Sequence, residues 1–477
     1  MTKKYAVFLI FMLTTVFAAA QKTAWADIEK TAETHLENLL AINTSQPDGN
    51  ELGSVRYIYK VLNDYNIDWE IYQPEKNRAS ISAVIKGSDH KKEPLMLLSH
   101  LDTVSPGTDW TKMPFKATVE DGKIYGLGSS DDKNNTAIYL TLITWLKKNN
   151  ITPERDIIFL ATADEEAGSV KGLKWLINSE YWKNLKPGFA LNEGGSVILE
   201  DGKPPVVFVE AATKMYMDIK ITAYGAAGHS SDVGGGNNNA VYNLTQALSK
   251  IEKLKMPYEL TPFVKNFFRS VLPAQDEDAK TTINIMLSGT PAESVMAADI
   301  AAEDPFFKTQ LQDTLTPTVL TSGAEANVTA GEASAILNCR LLPSTNPDVF
   351  VQRITKLFEG DDTILIEVLD KPDFPFPQPS SGADELFTSI TKAANTVFEN
   401  PSVLLGMTPA SSDSEFLRRA GVTTYGIGAP ANGVDEGRPH SPDEYIEEDS
   451  FSKQLQFFFN SVYNFTVPNE PISNYIE

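Results

Sequence analysis

His100 and Asp102 stand one residue apart at the end of the apolar run in "PLMLLSHLDTV", where a buried strand gives way to polarity. Asp131 and Asp132 follow "GLGSS", adjacent Glu165 and Glu166 close "RDIIFLATADEE", Asn192 and Glu193 follow "GFAL", and His440 sits in a late loop, "GRPHSPDEY". Two imidazoles with several carboxylates are the ligand types of a zinc pair, in which a shared carboxylate bridges ions about 3.5 to 4 Å apart. Such a pair lowers the pKa of water toward about 7 and clamps both oxygens of a hydrolytic transition state. A further carboxylate must shuttle the proton. Adjacent glutamates just past a strand meet that need, because neighbouring side chains diverge and one can bind metal while the other faces substrate. Each residue alone has an ordinary explanation: a satisfied core histidine, a solvated glutamate pair, an aspartate helix cap. Only their joint arrangement points to hydrolysis.

These residues need elements that deliver them to one place. Short apolar runs alternate with helical patterns between about 27 and 211, the appearance of an α/β layer architecture, with candidate strands "ISAVIKG", "PLMLLSH", "RDIIFLATAD", "GFALNEG" and "VVFVEAA". In such a sheet ligands bind beyond the carboxyl ends of the strands, where the polar residues fall. "NTAIYLTLITWLKKNN" reads as a helix with Lys147 and Lys148 in its last turn, where cations complement the dipole. From about 213 the order becomes β-α-β-β-α-β, the ferredoxin-like unit, interrupted over about 256–315 by a segment to which the pattern assigns no shape. After the Pro-rich "KPDFPFPQPS", the strand "TTYGIGAP" and the helix "DSFSKQLQFFFNSVYNF" return to the first domain. The expected division is a signal peptide at 1–26, a first catalytic part at 27–212, an inserted domain at 213–370 and a second catalytic part at 371–477.

A formal charge of −22 and the lack of any basic run argue against nucleic acid, since nothing would release its counterions. Lys3 and Lys4, an apolar run from Ala6 to Phe17 and small residues with A-x-A sites make an export signal, so a periplasmic or secreted protein is expected, free of the membrane after signal removal. No later stretch approaches the roughly 20 apolar residues of a span. Cys339 is the only cysteine and lies in an apolar alternation, which makes core packing its expected role.

The stretches "SHLDTV", "GLGSSDDKNN", "TADEEAGS", "GHSS" and "PHSPDE" occur in that order over nearly the whole mature chain. Together they resemble the di-zinc exopeptidase and aminoacylase family, which includes carboxypeptidase G, aminoacylase, carnosinase and carboxypeptidase S. "NEGG" and "GRPHSPDE" look closest to the carboxypeptidase S branch. The resemblance implies a zinc-exopeptidase α/β catalytic domain with an inserted ferredoxin-like lid and dimerisation domain. It implies two zinc ions per chain, with His100 on one, Asp131 bridging, and Glu166 with His440 on the other. Glu165 would be the general base and acid, and Asp102 would orient His100. The Asp131–Asp132 peptide would be cis. His229 would reach a neighbouring subunit's active site and polarise the scissile carbonyl, which implies a homodimer. Asn327 and Arg340 would hold substrate, an arginine fork being suited to a free carboxylate.

The chain departs from the family pattern at Asn192, which occupies the place of a carboxylate ligand in "NEGG". Three alternatives follow: Asn192 still coordinates, which is the reading adopted for the ligand set; Glu193 substitutes; or that zinc site is weak. Leu127, Ala330 and Asn338 also depart from the usual motifs and bear on substrate preference. The resulting expectation is an exported zinc metallopeptidase of carboxypeptidase type, cleaving an amide next to a free carboxylate in small peptides. An aminoacylase acting on N-acyl amino acids is the alternative within the same chemistry. A lapsed enzyme that only binds metal or peptide is the alternative outside it, and retention of Glu165 argues against that.

Overall fold

The computed structural model describes residues 25–200, 202–231, 238–431 and 437–475. Of the expected export segment only Trp25 and Ala26 lie among the described residues, where they open a helix over 25–40. No helix of the described residues is long and apolar enough to cross a membrane. The chain divides into two compact units: Met1–Ala211, Ser380–Leu405 and Ser412–Glu477 form the first, Ala212–Pro379 and Gly406–Ser411 the second.

The first unit is built on a ten-stranded sheet whose centre is parallel: Ile157–Thr162, Leu95–His100, Phe189–Asn192 and Thr423–Gly426 lie side by side in that order. Trp69–Glu75 and Arg78–Ile85 extend it as an antiparallel edge. Leu95–His100 and Ile157–Thr162 are buried at every residue, which is why they read as unbroken apolar runs. Met96, Leu98, Ile158 and Leu160 pack against Leu173, Leu176 and Leu417 on one face. The buried helix Lys133–Lys148 packs against Leu95–His100, and Tyr139 stacks on Phe458 of the last helix, Glu448–Thr466, with ring centroids 5.5 Å apart. Parallel strands bring their carboxyl ends to one edge, so His100, Asn192 and the turn that follows Thr162 arrive together. A small antiparallel sheet of Thr118–Glu120, Lys123–Tyr125 and Tyr445–Glu447 ties the late loop of His440 to the segment leading into Asp131.

The second unit holds a four-stranded antiparallel sheet in the order Thr314–Ser322, Glu332–Leu341, Met215–Tyr224, Ile364–Asp370. With helices Ala240–Glu252 and Pro347–Thr355 in sequence between strands, this is the β-α-β-β-α-β unit. Glu332–Leu341 alternates buried and half-exposed residues, so Leu337, Cys339 and Leu341 enter the core while Asn338 and Arg340 share the other face. Cys339 is buried and free of any disulfide.

The structure differs from the sequence reading in two places. The unassigned segment is a set of four helices, Pro262–Val271, Glu277–Ser288, Pro291–Ala301 and Pro305–Leu311. Thr261, Asp276, Thr290 and Asp304 cap them by accepting N–H groups of the first turn. The first unit resumes at Ser380 rather than at residue 371, because Phe376 is buried in the second unit's core and carries the Pro-rich link with it. Gly406–Ser411 also belongs to the second unit, where the side chain of Gln310 exchanges hydrogen bonds with the Met407 main chain at 2.6 and 3.0 Å.

Candidate metal centre

His100 ends its strand with the imidazole turned so that Nδ1 lies 3.0 Å from the main-chain oxygen of Asp102. A carbonyl can only accept, so Nδ1 carries a proton, and Nε2 is the nitrogen that would face a metal once it gave up its own. That Nε2 stands 3.0 Å from Asp131 Oδ1. Nε2 of His440 lies 3.1 Å from the other oxygen, Asp131 Oδ2, and 3.2 Å from Glu166 Oε1. The buried Glu166 Oε1 has no hydrogen-bond partner of good direction, so its contact with His440 is one of charge rather than of a directed hydrogen bond. Two groups result, His100 with Asp131 and Glu193, and Asp131 with Glu166 and His440, each with all its ligand atoms within 4.8 Å of one another. Tetrahedral ligands about 2.0 to 2.2 Å from a zinc ion stand roughly 3.3 Å apart, so this set of nitrogen and carboxylate donors fits a metal pair bridged by Asp131.

The loop that presents Asp131 is held from outside its own sequence. Buried Glu444 accepts the N–H groups of Gly128, Ser130 and Asp131 at 2.9, 2.8 and 3.2 Å, and the Ser130 hydroxyl at 2.9 Å. Gly128 has φ +89°, and a Cβ there would stand 2.9 Å from Thr103 Cγ2, so only glycine lets the loop pass. The Asp131–Asp132 peptide is cis. Asp132 accepts the main-chain N–H of His100 at 3.2 Å through Oδ2, which links the two ligand segments directly.

The Asp102 carboxylate, expected to orient His100, has its Oδ1 3.5 Å from His100 Nδ1, farther than the Asp102 carbonyl oxygen. Its carboxylate does more for the next segment: Oδ1 accepts the N–H of Glu165 at 3.0 Å and Oδ2 that of Glu166 at 3.1 Å. Gln46, which the sequence reading missed, donates to Oδ2 at 2.8 Å. Just before the glutamates, Asp164 takes a positive φ of 67° and accepts from Arg78, which also forks onto buried Glu51. The carboxylate of Glu165 makes no hydrogen bond or ion pair among the described residues, and the role of proton carrier needs such a group.

The electrostatics follow from burying so many carboxylates together. Burial pushes the Glu165 carboxyl well above its usual range; the His100 charge opposes this, while Asp413, Asp102 and Glu166 add to it. Burial likewise raises Glu193, with Asp131 and Glu165 contributing. For Asp131 burial would raise the carboxyl, but hydrogen bonds from His100 and His440 outweigh it and hold it far below the ordinary value. His440 is pushed up to about 10 by the carboxylates of Asp131 and Glu166 beside its Nε2. The carboxylate density that favours a proton on His440 also favours a divalent cation between these ligands.

Asn192 and Glu193 stand side by side at the end of their strand. The acidic and histidine side chains beside His100 include Asp131 and Glu193, whose Oε2 lies 3.9 Å from His100 Nε2; the Asn192 amide nitrogen donates to Ser414 Oγ at 3.0 Å, which leaves its oxygen as the atom that could coordinate. Asn192 is the last residue of its strand, and the chain turns at Gly194 with φ 99°, which lets the next side chain, Glu193, swing toward the ligands.

His229, Asn327 and Arg340 belong to the second unit. Gly228–His229 pairs with Val328–Thr329, and the Ser230 N–H donates to the Asn327 carbonyl at 2.8 Å, so the exposed His229 and Asn327 sit on neighbouring segments. His229 Nδ1 lies 2.8 Å from Ser231 Oγ. Arg340 is half-buried on the sheet face and donates to Ser411 Oγ at 3.1 Å.

With this geometry in place, residues 96–464 match the model of peptidase family M20/M25/M40. The chain belongs to that family. Members of peptidase family M20/M25/M40 are metal-dependent hydrolases of amide bonds, and the donor set described above is in keeping with that. The chain is 25% identical over 398 residues to the mouse N-fatty-acyl-amino acid synthase/hydrolase PM20D1, covering 81% of this chain and 77% of that one. It is 28% identical over 420 residues to a probable succinyl-diaminopimelate desuccinylase of Staphylococcus aureus, covering 86% and 92%. Its fold is similar to the M20 family metallo-carboxypeptidase Sso-CP2 of Sulfolobus solfataricus, with a TM-score of 0.67 at 19% identity over 91% of this chain and 99% of that chain.

Proposed function

We propose that this member of the M20/M25/M40 family is an exported two-zinc hydrolase that cleaves the amide bond joining an acyl group to an amino acid with a free carboxylate. The observation that carries the reading is Asp131, whose two oxygens each face a different imidazole, 3.0 Å from His100 and 3.1 Å from His440. His100, Asp131 and Glu193 would hold one zinc, and Asp131, Glu166 and His440 the other. When bound, the pair supplies Lewis acidity and a more acidic water. Glu165 takes the proton from the attacking water and returns it to the leaving amine nitrogen as the C–N bond breaks, its unpartnered carboxylate being free to do both. His229 of a neighbouring subunit would supply a hydrogen bond to the carbonyl oxygen, and Asn327 and Arg340 would hold the substrate, Arg340 through the free carboxylate.

The definition covers both C-terminal residues of small peptides, as in a carboxypeptidase, and N-acyl amino acids. Family membership supports the peptide reading; the relatives named for N-fatty-acyl amino acids support the second. Export is proposed from the pattern of residues 1–26, with a periplasmic or secreted product. A homodimer is proposed because Thr314–Ser322 is exposed along most of its length, including Val319 and Leu320, and its outer edge pairs with no strand among the described residues.

The test is a panel of N-acetyl, N-octanoyl and N-oleoyl derivatives of leucine, phenylalanine and glutamate, together with their glycyl dipeptides, assayed on the zinc-loaded mature chain. Glu165→Gln should lose roughly three orders of magnitude in kcat while keeping its metal content. Full turnover in that variant, or no hydrolysis of any panel member by the wild type, would defeat the proposal.

A further inference from the structure

The turn that carries Glu165 and Glu166 begins and ends in backbone that residues other than glycine seldom adopt. Asp164 has φ 67° and Ser169 φ 58°, and the Ser169 N–H closes the turn onto the Asp164 carbonyl at 2.7 Å. Such a conformation persists only where neighbours hold it. Arg78 holds the first of the two residues through the Asp164 carboxylate at 2.6 Å. The second is held by Asp413, 244 residues along the chain, whose Oδ1 accepts the Ser169 hydroxyl. Its Oδ2 accepts at 3.4 Å from the hydroxyl of Thr162, the strand residue paired with His100.

Asp413 is costly to bury. It is 2% exposed, makes no ion pair among the described residues and has these two hydroxyls as its side-chain donors. Burial pushes its carboxyl up to about 7. An apolar side chain of similar size would avoid that cost and would leave the Ser169 hydroxyl without its acceptor. The next residue, Ser414, accepts from the Asn192 amide at 3.0 Å, so one short segment touches the strand ends that lead to Glu165 and to Glu193.

We propose that Asp413 is a positioning residue that closes the far end of the turn through the Ser169 hydroxyl and so fixes where Glu165 presents its carboxylate. The inference rests on the reading of Glu165 as the proton carrier. That carboxylate has no hydrogen bond of its own among the described residues, so its backbone alone aims it. The backbone is gripped at Asp164 by Arg78, at the Glu165 N–H by Asp102 and at Ser169 by Asp413.

The experiment compares zinc-loaded wild type with Asp413→Ala, Asp413→Asn, Ser169→Ala and the Asp413→Ala/Ser169→Ala double variant on the best panel substrate. Asp413→Ala and Ser169→Ala should each lower kcat roughly 10- to 100-fold, with KM within about twofold and zinc content unchanged. The double variant should lose no more than the larger single loss, because both substitutions break one contact. Asparagine still offers Ser169 an acceptor, so Asp413→Asn should stay within about threefold of the wild-type kcat. Hydrogen exchange, read by mass spectrometry on peptides covering the turn, supplies a measure independent of turnover. The N–H groups of Ser169 and Lys171 bond to the Asp164 carbonyl and carboxylate at 2.7 and 2.8 Å. They should exchange roughly tenfold faster in Asp413→Ala and in Ser169→Ala, with the helix Lys133–Lys148 unchanged. Single losses that multiply in the double variant, a rise in KM alone, a loss of zinc, an Asp413→Asn no better than Asp413→Ala, or exchange at the wild-type rate overturns the inference. Should Asp413→Ala fail to fold, Ser169→Ala and Asp413→Asn decide it. If no panel member is hydrolysed, the proposed function falls while exchange still decides the part played by Asp413.

Discussion

Asp102 accepts the main-chain N–H of Glu165 at 3.0 Å. Its second oxygen accepts that of Glu166, so one buried carboxylate sets the backbone of the proposed proton carrier and of a proposed metal ligand together. An asparagine there could accept one of these N–H groups but would turn its own N–H toward the other. Asp102→Asn should therefore lower kcat roughly 10- to 100-fold with KM little changed and with zinc binding weakened. Steady-state kinetics beside a zinc titration check this; an effect on KM alone would show that the carboxylate serves substrate instead.

The ligand assignment can be read from metal stoichiometry. Dialysis against a chelator should abolish turnover and lower the melting temperature, and zinc should restore both at two equivalents per chain. Glu193→Gln should reduce tight binding to about one equivalent, whereas Asn192→Ala should keep two. The reverse pattern would return Asn192 to the centre.

Glu444 tests whether the His440 loop builds the Asp131 loop. With its oxygens accepting from Gly128, Ser130 and Asp131, Glu444→Gln should cost about 1 to 3 kcal/mol of stability and about tenfold in kcat. Denaturant melts and kinetics would measure both, and a variant indistinguishable from wild type would refute the tether.

Away from the metal ligands, His35 offers a pH signature. Burial pushes its imidazole down to about 4, and Nδ1 lies 2.7 Å from the Tyr57 hydroxyl. The unfolded imidazole takes a proton near 6.5 and the folded one only near 4, so the unfolded state binds more protons between those values. Stability from this residue is thus complete above about 6.5 and is lost as pH falls toward 4. Between pH 7 and 5 the wild type should lose about 2 kcal/mol more than His35→Phe, measured as the difference in urea unfolding at the two pH values. Equal losses would mean that His35 is protonated in the folded protein.

The central strands were legible because burial on both faces leaves a continuous apolar run, and the polar residues closing each run marked the ends where ligands gather. His100, Asp131, Glu166 and His440 stand among the polar residues that type and position single out, and the family resemblance is what marks these four as ligands. Sequence alone leaves Asn192 and Glu193 as alternatives, since which of two neighbours serves the site depends on where the strand stops and on the turn at Gly194. Gln46, Arg78 and Glu444 act on partners far along the chain, so nothing local announced them. The four helices of 262–311 were missed although Thr-Pro and Asp-Pro pairs signal three of their starts; short helices separated by a few residues give too little periodicity to stand out.

The place of His440 near the end of the chain also sets an order of assembly. A ribosome releases His100, Asp131 and Glu166 long before the last imidazole, and Glu444, which shapes the Asp131 loop, emerges later still. In the two-ion centre proposed above, a nascent or prematurely terminated product could gather ligands on the His100 side only, and the second ion would be acquired only after synthesis has passed the final loop.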